Sequence, residues 1–259
     1  MQTIPLSANS ALPWIREGYA RVLREPLRWL GMTLVYLAIA LLLKRVPVLG
    51  NFVLVLITPI MLAGALLAAR TPPAPTPAGA KDWLSALTLD AAQELFQVFR
   101  REDHAFAIVI VCIVSLGLIV LVNIPELLIT GGSVVSGLTG ASLAGPLRLS
   151  LVVGIVVVVA LYVLLAMALL YVIPLTLFGK RQPVPAIAES FLVCLGNSAA
   201  LATFAAPFLA VNLAIMIGFA FSHVFGYALL LLLGVVSLPA FVIALHASYR
   251  ALFETAPAR

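Results

Sequence analysis

Residues 26 to 70, PLRWLGMTLVYLAIALLLKRVPVLGNFVLVLITPIMLAGALLAAR, decide how the rest of the chain is read. Two apolar runs, Leu27 to Leu43 and Phe52 to Ala69, flank a short Lys44-Arg45-Val46-Pro47 break. Runs of 17 and 18 residues rise about 26 Å as helix. That crosses a ~30 Å hydrocarbon layer with slight thinning and with Arg28 and Lys44 snorkelling to the two surfaces. Pro47 and Gly50 supply the turn, so the stretch predicts a transmembrane helical hairpin. Its second arm carries Pro59 near the middle, where a helix-breaking residue in lipid demands local compensation.

Composition supports the same class. The chain is 63% hydrophobic and 10% charged with mean hydropathy +1.18, whereas soluble domains are roughly 45–50% apolar and 25% charged. A net charge of +5 could suggest nucleic acid, but the basic residues sit at the ends of apolar runs rather than along one polar face. They read as membrane anchors, and no nucleic-acid partner is expected. Cys112 and Cys194 lie in apolar segments without a CxxC pattern, which signals neither a disulfide framework nor a metal site. The first fifteen residues lack a basic segment followed by an apolar run and cleavage site, so the first span is expected to insert unprocessed.

Working outward, residues 10 to 25 place Leu12, Ile15, Tyr19, Val22 and Leu23 at helical spacing opposite Arg16, Glu17, Arg21, Arg24 and Glu25. This predicts an amphipathic helix lying on the membrane, ended by Pro26. Residues 71 to 80 hold four prolines and predict an extended, solvated linker. A second amphipathic helix, residues 84 to 101, presents Leu84, Leu87, Ala91, Leu95 and Phe99 on one face and precedes a third span, Ala105 to Val122. Residues 123 to 147 hold one charge, five glycines and many Ser and Thr; a loop, a re-entrant segment or an extra span all fit, and charge favours the first two. A fourth apolar run, Leu149 to Phe178, is 30 residues long and must tilt, project or kink at Pro174. A third amphipathic segment, Ala186 to Asn197, leads to span five, Ala199 to Phe221, and span six, Phe225 to Leu245.

The expectation is therefore an all-α polytopic bundle of six transmembrane helices in one domain, residues 1 to 259, with three amphipathic helices on the cytoplasmic side. With both termini inside, twelve of the 15 Lys and Arg residues are cytoplasmic and only Lys44, Arg45 and Arg148 lie outside. That asymmetry predicts a bacterial inner-membrane protein with N- and C-termini in the cytoplasm.

An internal repeat follows from polar spacing. Glu17, Tyr19 and Glu25 recur as Glu94, Phe96 and Glu102 and as Glu189, Phe191 and Asn197. Each even span carries a proline, Pro59, Pro174 or Pro239, and the first and third lie eleven residues before Arg70 and Arg250. Repeat-like units 10–70, 84–180 and 186–250 are expected.

Trp14-Ile15, Gly18, Pro26, Pro47 with Gly50, and Pro59 with Ala63-Gly64 resemble the opening signature of a family of uncharacterised six-span inner-membrane proteins of Burkholderia-type bacteria. More loosely, amphipathic helix plus hairpin is similar to YciC-like inner-membrane proteins and to the membrane domain of some bacterial glycerophosphodiester phosphodiesterases. The resemblance implies location and fold and leans towards lipid-related work. It supplies no catalytic residues.

The residues themselves point to no reaction. Proton- or ion-coupled pumps usually need ionisable groups inside the membrane, and none lies within the core of a span. His104, His223 and His246 fall at span ends on two sides, which suits interfacial histidines better than a metal site. Ser142 in Gly-Ala-Ser-Leu is similar to an intramembrane protease nucleophile but lacks a histidine at the right depth. No enzyme activity and no cofactor are expected. Thr58, Ser237 and Asn212 are mid-span polar residues, read either as interhelical hydrogen bonds or, with Pro59, Pro174 and Pro239, as the lining or hinges of a cavity. Arg16, Arg21, Arg24, Arg100, Arg101, Lys180 and Arg181 are candidate headgroup contacts. Two functions compete: binding or passage of a lipid or other amphiphile, with membrane lipids as partners, and an accessory subunit packed against a membrane protein partner.

Overall fold

In a computed structural model the chain is described over residues 6–46, 49–72, 79–100, 102–130 and 149–254, and the regular elements there are all helical. The N-terminal helix α1 (Leu12–Arg24) leads at Pro26 into α2 (Pro26–Leu43), and α3 (Leu49–Arg70) returns alongside it. Next come α4 (Ala80–Ser85), a π-helical turn (Ala86–Asp90), α5 (Ala91–Leu95) and a 3-10 turn (Gln97–Arg100). Helix α6 (Glu102–Thr130) and α7 (Leu149–Leu169) pack together, followed by α8 (Val172–Leu177) and α9 (Pro183–Gly196). The chain closes with α10 (Ser198–Phe221), α11 (His223–Leu229), a π-helical turn (Leu230–Gly234) and α12 (Val235–Tyr249).

Five described helical stretches are long and apolar enough to cross a membrane: Pro26–Leu43, Leu49–Arg70, Val156–Leu177, Ser198–Phe221 and His223–Glu254. The expected third span falls within α6, whose described apolar stretch Ala105–Leu121 is shorter. The helix also continues through Asn123 to Thr130, where the sequence suggested the start of a loop. The Asn123 amide donates to the Ile119 carbonyl at 2.7 Å and its oxygen accepts from the Tyr162 hydroxyl of α7 at 3.2 Å. Residues 131 to 147 lie outside the described residues.

The centre of the bundle is α12, which packs against α1, α2 and α3. Gly18 of α1 makes the first contact possible, because any Cβ there would collide with the Ala240 carbonyl. The first helix thus buries Trp14, Gly18 and Val22 inside the protein, rather than resting on the bundle as a separate surface element. A similar contact seats the 80–100 segment. The backbone of Leu95 lies directly on Gly64 of α3, while Ala86, Leu87 and Ala91 approach Gly31 of α2. The expected continuous helix over 84–101 is therefore broken. Its Ala91, Leu95 and Val98 are buried, Leu84 and Phe99 are exposed, and Gln97 donates to the Gly64 carbonyl at 2.9 Å.

Packing is uneven along the bundle. In α3, residues 61 to 69 are buried except Leu62, while residues 53 to 60 are only partly so. In α12, Pro239, Ala240 and residues 243 to 249 are buried, while Leu231 and Leu232 before it are exposed. The tight half is the end that carries the charged contacts. Lys44 and Arg45, exposed in the α2–α3 turn, mark the other end.

The long fourth run does break, at Leu170 and Tyr171 between α7 and α8. Pro174 lies four residues after Leu170, and its ring crowds that carbonyl. The Ser190 hydroxyl from α9 repairs the ladder: it accepts from the Tyr171 N–H at 3.1 Å and donates to the Met167 carbonyl at 2.8 Å. By contrast, α3 and α12 run unbroken through Pro59 and Pro239, and α10 does so through Pro207, a proline in an odd span.

Candidate functional site

Between α2, α3 and α12 lies an apolar cavity of about 190 Å³. Trp29, Met32 and Thr33 come from α2, Thr58, Met61 and Ala65 from α3, and Pro239 and Val242 from α12; Leu95 closes the side nearest α5. The lining is almost wholly apolar, and its two threonine hydroxyls are turned to their own helices. Thr33 donates to the Trp29 carbonyl at 2.9 Å and Thr58 to the Leu54 carbonyl at 2.7 Å. Trp29 is the exception: it is 1% exposed, and its indole N–H is buried without a hydrogen-bond partner.

Trp29 also links the cavity to a charged cluster. The guanidinium carbons of Arg28 and Arg21 lie 5.8 and 6.0 Å from its ring centre, within reach of a cation–π attraction. Arg28 pairs with Glu94 at 2.8 Å and with Glu25 at 3.2 Å, and Arg21 pairs with Glu25 at 3.2 Å. Two cations and two anions balance here. Both arginines also hold the start of the proline-rich linker: Arg21 donates to the carbonyls of Ala69 and Thr71, and Arg28 to the Thr71 hydroxyl at 2.6 Å. The linker is therefore anchored at its first residue, and residues 73 to 78 lie outside the described residues.

Of the candidate cavity residues, the structure brings Thr58 and Pro239 into this one cavity. Pro59 is half-buried beside it, and Ser237 is buried without lining it. Pro174 is buried elsewhere, at the α7–α8 break. Asn212 does not reach the cavity at all: it is exposed on α10, on the same flank as Leu209, Leu213 and Met216. Sequence reasoning missed Trp29, whose signal was an indole next to Arg28 at the start of a span. It also missed Ser190.

Of the candidate headgroup residues, Arg16, Arg24, Lys180 and Arg181 are exposed. Arg100 is exposed and donates to the Gln93 side chain at 3.2 Å. Arg21 is instead held in the cluster, and Arg101 lies outside the described residues. The acidic positions of the sequence repeat are each paired: Glu17 with Arg250 at 2.5 Å, Glu94 with Arg28, and Glu189 with Arg181 at 3.3 Å. Around Arg70 the same end is tied to the last turn, with Glu254 at 3.7 Å and the Phe178 ring 4.9 Å below the guanidinium.

Among the described residues no three His, Cys, Asp or Glu side chains converge to hold a metal. Cys194 is buried in α9, and burial pushes its thiol up to about 12. Comparison with protein-family models, with curated proteins and with solved structures found no match.

Proposed function

We propose that the chain is a six-span bacterial inner-membrane protein, both termini cytoplasmic, that binds a lipid or other amphiphile with its apolar chain between α2, α3 and α12. The observation that carries this reading is the cavity: apolar walls that include Trp29, whose indole N–H is buried without a hydrogen-bond partner. An apolar cavity of about 150 Å³ admits a benzene-sized molecule, so about 190 Å³ suits a section of acyl chain. Leaving a buried donor unsatisfied costs about 1–3 kcal/mol, which an ester or carboxyl oxygen on the ligand would recover. Thr58 and Pro239 lie at the level where the bundle opens, which gives a chain a way in from the side.

The six-span count takes α6 as a span, and the orientation rests on the charge asymmetry it would create, twelve basic residues in the cytoplasm against three outside. The three-unit plan rests on the recurrent polar spacing, and the resemblance to Burkholderia-type inner-membrane proteins over residues 12 to 70 favours the same location. A second reading, an accessory subunit, draws on α10. Its outer flank is apolar apart from Asn212, and a carboxamide turned outward in mid-span favours a partner helix that can hydrogen-bond with it.

The test is fluorescence of a variant that keeps Trp29 alone, W14F/W83F, in bilayers of lipids brominated in mid-chain. Since Trp29 is buried, quenching requires a chain inside the cavity. Strong quenching that Ala65→Phe removes supports the reading. Quenching no greater than that of a buried indole, or unaffected by Ala65→Phe, overturns it.

A further inference from the structure

We propose that a second groove, between the start of α6 and the α8–α9 connection, is a site for one anionic phospholipid, with Lys180 as its principal phosphate contact. The groove holds about 640 Å³ and lies apart from the α2–α3–α12 cavity. One wall is apolar: Phe106 is 73% exposed, Ile110 half-buried and Val184 exposed. The rim is cationic, with Lys180 and Arg181 side by side. Arg181 is paired with Glu189, and no carboxylate reaches Lys180 among the described side chains, which do not include those of Glu102 and Asp103. The first two residues of α9, Pro183 and Val184, line the same groove with no side chain capping them, so the positive end of a 14-residue helix adds to the field.

The backbone singles out Lys180. Past the end of α8 the Arg181 N–H closes back on the Leu175 carbonyl at 3.1 Å. Within this closure Lys180 takes the left-handed conformation, at φ 50, and Gly179 stands one residue earlier. Glycine would fit without strain, and an ordinary surface lysine could snorkel from many positions. A strained residue of this kind points from geometry to function. An apolar wall beneath an exposed cation suits an acyl chain joined to a phosphate, and a soluble anion would leave the wall unused.

The test uses the full chain in nanodiscs containing phosphatidylglycerol and phosphatidylcholine, with bound lipid counted by native mass spectrometry. Lys180→Gly should weaken retention of phosphatidylglycerol roughly fivefold, the effect of one basic group at an anionic surface. It should also leave the thermal midpoint equal or higher, because glycine relieves the turn. Arg24→Ala, an exposed cation on α1, should change retention little. Inorganic phosphate alone should not shift the midpoint. Unchanged retention in Lys180→Gly, an equal loss in Arg24→Ala, or a lowered midpoint in Lys180→Gly would each overturn the proposal. None of these readouts depends on whether the cavity beside Trp29 takes a ligand.

Discussion

Ser190→Ala is the sharpest test of how the α7–α8 break is held. The hydroxyl is fully buried and makes two hydrogen bonds, accepting from Tyr171 and donating to Met167. Removing it strands an N–H and a carbonyl where no water can reach. Interhelical bonds in membranes average about 0.6 kcal/mol each, which sets a floor near 1.2 kcal/mol for two. Buried groups left wholly unpaired lose about 1–3 kcal/mol apiece, so a loss of about 2 kcal/mol is expected. The assay is reversible unfolding in mixed micelles, with Pro174→Ala as the second arm of a cycle. Alanine at 174 removes the ring that crowds the Leu170 carbonyl, so the ladder can close from Tyr171 to Met167 without help. Ser190→Ala should then cost less than half as much. A loss below about 0.5 kcal/mol in the native background, or an equal loss in both backgrounds, refutes the repair.

Three further outcomes follow from the packing and charge. Gly64→Val should destabilise the protein by about 1–3 kcal/mol by pushing Leu95 off α3, and limited trypsin treatment should then cut at Arg100 faster than in the native chain. Cys194 has a folded-state value of about 12 against an ordinary 9.0, so its contribution to stability is complete below pH 9 and is lost as the pH rises towards 12. Unfolding midpoints should fall across that window in the native chain more than in Cys194→Ala, and an equal fall in both removes this thiol as the cause. Alkaline phosphatase fused after Val46 should be active and after Glu254 inactive; the reverse pattern inverts the proposed orientation.

Much of the helical plan could be read from the sequence because apolar runs of membrane length have few alternatives. Pro26, the Lys44–Pro47 break and Ser222 delimit helices close to where the structure ends them. What could not be read is which side of each helix faces inward. In α10 apolar residues surround the axis, so no periodic signal distinguishes Asn212, which faces out, from the buried Phe204. The wedge formed by residues 80 to 100 was hidden for a related reason. Its position depends on Gly31 and Gly64, two absent side chains more than thirty residues apart, and a missing Cβ leaves no mark in a hydropathy pattern. Ser190 was overshadowed by its neighbours Glu189 and Phe191, which matched the repeat, although the buried backbone break is its own business.

The glutamates expose the limit of reading architecture from polar spacing. Glu17, Glu94 and Glu189 share a sequence context, and each has an arginine, yet the three bonds join different things. Glu17 ties the first helix to the last turn through Arg250. Glu94 ties the 80–100 wedge to the start of α2 through Arg28. Glu189 reaches only to Arg181, eight residues back in its own connection. Exposed pairs such as Glu17–Arg250 contribute about 0–1 kcal/mol, so they choose neighbours more than they stabilise. The Arg28–Glu94 pair is different, because Arg28 is 10% exposed in its side chain and also holds Glu25 and Thr71. Breaking it would leave two carboxylates beside Trp29 and free the linker that starts at Thr71. The half-buried cluster is thus the junction between charged end and apolar cavity: whatever neutralises or displaces Glu94 changes the charge felt at the indole, and through it the environment of any chain lodged below.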